Sequence, residues 1–315
     1  MTNKTTNKNR IVELSQDRPT KRDQKHIAEN RLFDAWQHNS HSHKSELCDI
    51  PSITTQMHTL IAESLKLCDI VGVQEMVKPV GLIYELTHSQ QSQSPNNRMV
   101  LEITSNAVEV KSKTMSAQYI IEMLKEAADL HYTDLHPEIM QAVALECCRE
   151  FDNEFMDLIY VTSTDVDFRI DMEESPSVIV DKILEACNVV AQNSHRGKAN
   201  KVILPYELCM YILPYMIDMN MFEYSQEKNM MGDLLHLGNI FNDIEIYSSI
   251  RNTVALFGYK GKSETDTGIM FCPYQLNLFV TTRPDTNEHR VRMRARYATH
   301  TVKNASDYYV SIQVR

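Results

Sequence analysis

Between Met115 and Tyr160 the apolar residues recur at intervals of three and four, which is the signature of one helix face. Ala117, Ile120, Ile121, Leu124, Ala127 and Ala128 carry the first part of the pattern. Met140, Val143, Ala144, Cys147, Phe151, Phe155 and Leu158 carry the second. Pro137 suits the first turn of the second segment, where a missing N–H costs nothing. A helix of about 24 residues is roughly 36 Å long. An element as long as a small domain predicts a beam on which other units are mounted.

The 315 residues suffice for two packed units with extensions. The net charge of −10 argues against a general nucleic-acid binder. No apolar run reaches the length of about 18 residues that crosses a bilayer, so no membrane association is expected. The polar start also lacks the apolar core of a signal peptide, and export by that route is not expected. Seven cysteines (Cys48, Cys68, Cys147, Cys148, Cys187, Cys209 and Cys272) form an odd set without C-x-x-C spacing, which predicts reduced, buried thiols.

Residues 1 to about 50 read as an arm, basic at first, that orders on a neighbouring molecule or stays a disordered tail. A short amphipathic helix is expected over 53–69. Pro79 and Gly81 then introduce a strand, Leu82 to Leu86. The tract Thr87 to Arg98 has the composition of a polar hairpin tip, and the chain returns as a strand pair or as a strand with a turn at Ser105–Asn106. A projecting two-stranded loop buries nothing alone and makes sense lying on another subunit.

An acidic connector, Thr162 to Ser177, follows the long helices. A helix over Ser177–Val190, a strand over Lys201–Leu204, a helix ending near Pro214 and strand material over Leu237–Ile250 predict a compact α+β unit. The remaining alternating segments are strands expected to complete the first unit beside the long helices.

Few residues suggest chemistry. Gly261-Lys262-Ser263 lacks the glycine of a phosphate loop, because Leu256 occupies its place, and strand sequence follows where a helix is required. His38, His41 and His43 have no cysteine or carboxylate at ligand spacing. No metal, cofactor or catalytic residue is expected. Arg290, Arg292, Arg294 and Arg296 alternate with Val291, Met293, Ala295 and Tyr297, so a strand would show all four guanidinium groups on one face. Three partners suit that row: counter-charges from the same chain, carboxylates of an adjacent copy, or packaged nucleic acid. Glu146, Glu150 and Glu154 form an acidic helix stripe, solvated or inter-subunit.

Several ordered blocks resemble the major capsid proteins of T-even-type tailed phages. The C-terminal block is Phe257-Gly258-Tyr259-Lys260-Gly261 followed by Asp266-Thr267-Gly268 and Cys272-Pro273-Tyr274, and it continues to Arg296-Tyr297. Upstream, Gly72-Val73-Gln74 and Gly81-Leu82-Ile83-Tyr84 match, as does the passage from Val110 to Glu150. Glu75 stands where that family often has proline, and the hairpin tip is too short for the inserted domain that larger members carry.

The resemblance implies an α+β chain of the Hong Kong 97-type capsid fold. Residues 1–70 would be the N-terminal arm, 71–113 the first strand and extended loop, and 114–165 the spine helix of a peripheral domain. Residues 166–250 would be the axial domain and 251–315 returning peripheral strands. It implies a non-enzymatic shell subunit in the virion, made in host cytoplasm and forming hexamers and pentamers around DNA. Portal, vertex, scaffold and decoration proteins would be its partners. A vertex paralogue, a nanocompartment shell and a soluble nucleotide- or metal-dependent enzyme are the alternatives. Family precursors are trimmed after a Leu/Ile-x-Glu motif, which makes Glu13 and Glu29 the processing candidates.

Overall fold

The computed structural model describes residues 61, 65–90, 99–120, 136–225, 233–283 and 288–315. After a helical turn, α1 (Leu67–Ile70), a short strand β1 (Gly72–Val73) leads into the hairpin β2 (Val80–Gln90) and β3 (Met99–Glu109). Strand β4 (Lys111–Ile120) follows, then the long helix α2 (His136–Thr162) and β5 (Thr164–Asp165). The second unit runs through α3 (Pro176–Ser194), β6 (Lys201–Pro205), α4 (Tyr206–Asp218), β7 (Phe222–Tyr224), β8 (Leu234–Ile240), β9 (Ile244–Ser249) and β10 (Val254–Gly258). Two long strands, β11 (Ile269–Arg283) and β12 (Glu288–Thr301), precede the last, β13 (Tyr309–Gln313).

Among the described residues three sheets result. One has four strands in the order β1-β11-β12-β4, and a second has seven in the order β5-β13-β10-β6-β9-β8-β7. The hairpin β2-β3 forms a two-stranded ribbon. Helix α2 lies between the first two sheets. Its Phe151 and Phe155 meet Phe271 edge-on at centroid distances of 5.9 and 5.3 Å, and Phe151 meets Tyr297 at 5.0 Å. The same core takes in Ile203, Leu234, Tyr247 and Leu256 from the seven-stranded sheet. On that sheet's other face, Val202, Leu204, Ala255 and Phe257 pack with Ile183, Leu208 and Ile212 of α3 and α4. The sheet is thus buried on both sides, and β10 has no exposed residue along its length.

Four expectations need correcting. Met115 to Ile120 is strand, not helix: β4 pairs antiparallel with β12 from Lys111↔Tyr297 to Ile120↔Glu288. The tertiary partner overrides a helical apolar spacing that Ala117 and Ile120 satisfied only by coincidence. Residues 121–135, the rest of that expected helix, lie outside the described set. No turn forms at Ser105–Asn106, because both residues pair across the ribbon with Tyr84 and Ile83. Helix α4 continues through Pro214 to Asp218, anchored by buried Ile212 and Met216 on either side of the proline. Finally, the C-terminal strands divide between sheets: β11 and β12 join the four-stranded one, whereas β10 and β13 pair in the seven-stranded one.

Other readings hold. Helix α3 has Pro176 in its first turn and buries Ile179, Ile183, Cys187 and Val190. Among the described residues, all six cysteines are free and buried. Burial pushes the Cys187, Cys209 and Cys272 thiols up to about 12, so they stay protonated and unreactive.

Candidate interaction surfaces

Sequence alternation along β12 decides which way its arginines face. Val291, Met293, Ala295 and Tyr297 are buried beneath α2, so Arg290, Arg292, Arg294 and Arg296 occupy the sheet's opposite face. Register supplies their neighbours. Arg292 stands between Ser116 and Phe279, Arg294 between Thr114 and Asn277, and Arg296 between Ser112 and Gln275. Arg292 and Arg294 are exposed, and Arg296 stacks its guanidinium over the Tyr274 ring at 5.1 Å.

Among the described residues, the same outer face is covered at one end. There Ile83 and Val108, from the base of the ribbon, pack with Met76 against Met270, Cys272 and Ala298. Beyond that base the ribbon carries an exposed apolar side. Val80, Leu82 and Tyr84 point to one side and are 58%, 53% and 58% exposed. Register places Ala107 and Ser105 beside Leu82 and Tyr84. Residues 91–98, the expected tip, are outside the described set. An open hollow of about 210 Å³ lies at the ribbon's base between Gln74, Met76, Val77, Lys78, Leu82 and Cys272.

The acidic stripe of α2 divides by role. Lys113 from β4 donates to the Glu154 carboxylate at 3.2 Å and to the Glu150 backbone carbonyl at 3.3 Å, and forms an ion pair with Glu150 at 3.0 Å. Burial works against the Lys113 charge, but those carboxylates overcome it and hold the ammonium above its usual pKa. Tyr297 donates its hydroxyl to Glu154 at 2.5 Å, and burial together with that carboxylate pushes the phenol upward. Glu150 and Glu154 therefore tie the helix to its own sheet. Glu146 is the most exposed of the three and pairs with Arg149 at 3.4 Å.

The glycine-rich signature forms a clasp where the three parts of the chain meet. Lys260 donates to the Cys68 carbonyl at 2.6 Å and pairs with Glu264 at 3.2 Å, and Glu264 accepts the Val73 amide at 3.0 Å. Gly72 lies against this loop so tightly that a Cβ would stand 2.1 Å from the Glu264 carbonyl oxygen. Gly261 donates its amide to the Asp266 carbonyl at 2.8 Å and leaves no room for a Cβ beside the Asp266 carboxylate. Asn200 brackets Lys260, donating to its carbonyl at 2.7 Å and accepting its amide at 2.9 Å. Tyr259 donates its amide to the Tyr308 carbonyl, and Gly258 and Gly268 both abut the Tyr309 ring. Gln74 and Pro273 join the clasp to the first sheet, the Gln74 amide bonding Phe271 and the Pro273 carbonyl accepting from Met76. Gly81 lies against the Met76 side chain. The Gly261-Lys262-Ser263 tripeptide turns back toward β11, and the lysine–carboxylate pair beside it is Lys260–Glu264, which holds backbone together. Glu13 and Glu29 lie outside the described residues.

Sequence reasoning missed Asp152. It is completely buried on α2 beside Asp233, and burial drives its carboxyl well above the usual range. A carboxylate one residue from Phe151 gave no hint, because helical spacing places it between the two buried edges of the stripe.

A long helix cradled by a four-stranded sheet, with a projecting ribbon and a separate seven-stranded unit, is the Hong Kong 97-type α+β capsid fold. The virus-like particle protein of Pyrococcus furiosus superposes with a TM-score of 0.52 at 8% identity, over 84% of this chain and 98% of that one. A chain from Microbacterium phage Oxtober96 gives 0.51 at 12% identity, over 78% and 90%. One from Gordonia phage Cozz gives 0.51 at 12%, over 80% and 87%.

Residues 85–314 match the family of the major capsid protein Gp23, and the chain belongs to that family. A major capsid protein of Serratia phage KSP90 is 24% identical over 273 residues, which cover 77% of this chain. The match takes in 60% of the Serratia phage protein's length.

Proposed function

We propose that this chain is the repeating subunit of an icosahedral or prolate phage head, assembling through copies of itself into hexamers and pentamers around DNA. It acts structurally and catalyses no reaction. The observation that carries this reading is the apolar side of the ribbon. Two strands with Val80, Leu82 and Tyr84 more than half exposed gain nothing from standing free in water. They are stabilised when a neighbouring copy covers them. In this reading residues 166–250 with β10 and β13 form the axial unit, and α2 with the four-stranded sheet forms the peripheral one.

Many weak overlaps in a closed shell add up to cooperative assembly. Portal, vertex, scaffold and decoration proteins are the expected partners in the virion. Trimming after Glu13 or Glu29 would set the mature N-terminus, which mass spectrometry of particle-derived protein would locate. Copy number per particle separates a main-shell role from a vertex role.

The test is the variant Leu82→Glu/Tyr84→Glu. It should purify as folded protein with an unchanged circular-dichroism spectrum yet give no shells by electron microscopy under conditions where the unaltered protein forms them. Intact shells from the variant would refute the overlap role.

A further inference from the structure

Two surface features share one geometry and opposite charge. The arginine row presents guanidinium groups at alternate positions of β12, with spacing of about 6.7 Å. Its flanks are Ser112, Thr114 and Ser116 on one side and Gln275, Asn277 and Phe279 on the other, so no carboxylate lies directly opposite Arg292, Arg294 or Arg296. Residues 165–173, after α2, form an extended edge with its own period of two. Val166, Phe168, Ile170 and Met172 turn inward onto the core of the second unit, while Asp165, Asp167, Arg169, Asp171 and Glu173 are exposed. Backbone bonds from Val166, Ile170 and Met172 to Ser311, Gln313 and Arg315 hold this edge straight alongside β13. Asp165 accepts a hydrogen bond from Ser311. Among the described residues, Asp167, Asp171 and Glu173 have no ion-pair partner, and neither do Arg292 and Arg294.

We infer that the arginine row of β12 is a docking face for a second copy of this chain, which delivers the acidic edge Asp165–Glu173. This rests on the shell reading above and names one of its contacts. The two strips do not satisfy each other within a chain, so the pairing joins different patches of two copies. Such a head-to-tail contact closes rings or extends arrays; it does not stop at a two-fold dimer. Arginine suits the role because its planar fork binds carboxylates in pairs and sheds water more readily than lysine. DNA phosphates would match the row's charge, but a chain with a net charge of −10 repels a polyanion overall while its own acidic edge is carried by every copy.

Two charge-reversed proteins test this, Arg292→Glu/Arg294→Glu and Asp167→Lys/Asp171→Lys/Glu173→Lys. All five positions are exposed, so both variants should keep the unaltered protein's melting temperature. In sedimentation velocity at moderate salt, each alone should self-associate at least about tenfold more weakly than the unaltered protein. An equimolar mixture should recover association, because each row then faces an edge of opposite sign. Unchanged association by the arginine variant, or failure of the mixture to recover, overturns the inference while leaving the shell reading intact. Loss of binding to a short DNA duplex with association unchanged also overturns it and assigns the row to nucleic acid. If the unaltered protein does not self-associate at any concentration, both readings fail.

Discussion

The two sheets are built from equally regular strands but complete themselves differently. The seven-stranded sheet has α3 and α4 on one face and the α2 core on the other, and its central strands are apolar on both sides. Among the described residues, the four-stranded sheet is covered along one face, where Phe271, Met293 and Tyr297 meet α2, and only at one end of the other. Its outer face ends in arginines, and the adjoining ribbon exposes an apolar side. The contrast separates stability from assembly: one unit carries its own core, whereas the other leaves work for a neighbour.

The largest expected effect comes from attacking the self-sufficient unit. Phe257→Ala empties a fully buried site between β10 and the helices and should cost about 3–5 kcal/mol, read as the shift in a urea denaturation curve. An equal loss from a change on the ribbon would erase the distinction. Gly72→Ala strikes the clasp between the units, where the new methyl meets backbone it cannot displace cheaply. About 1–3 kcal/mol should be lost, measured the same way.

Asp152 sharpens the comparison through pH. Its folded-state pKa lies above the unfolded one, so protonation favours the fold. That contribution is complete below the ordinary carboxylate pKa and is lost as pH rises through the raised value. Asp152→Asn removes this titration. Its melting temperature relative to the unaltered protein should therefore be higher at about pH 8 than at about pH 5. A pH-independent difference would show that the carboxyl is charged throughout. The smallest effect belongs to the ribbon: Tyr84→Ser should change the dissociated subunit's stability by no more than about 0.5 kcal/mol.

Much of this was legible in the chain. Period-two alternation placed the β12 arginines on one face, and period-3.6 spacing found α3 and the second half of the long helix. The failures have a common cause. Lys111 to Ile120 contains both periods, because Ala117 and Ile120 suit a helix while Ser112, Thr114, Ser116 and Gln118 form a polar alternate row. Only pairing with β12 decides between them, and that partner lies far along the sequence. The polar tract from Thr87 to Arg98 draws attention away from Val80, Leu82, Tyr84 and Leu86, which alternate in plain sight. The burial of Asp152 and the internal use of Glu150 and Glu154 depend on what faces each side of α2, which no local pattern encodes.

One irregularity has a consequence for the whole plate. Strand β11 pairs Pro273 with Tyr297 but Gln275 with Arg296, so Tyr274 is a supernumerary residue in the ladder. Before it, odd-numbered Phe271 faces the helix; after it, even-numbered Leu276 does. Were that tyrosine paired as an ordinary rung instead of bulged out, strict alternation would transpose inside and outside for everything downstream, sending Gln275 and Asn277 toward the aromatic core and leaving Leu276 and Leu278 among the guanidiniums. The strand keeps its allegiance by miscounting once.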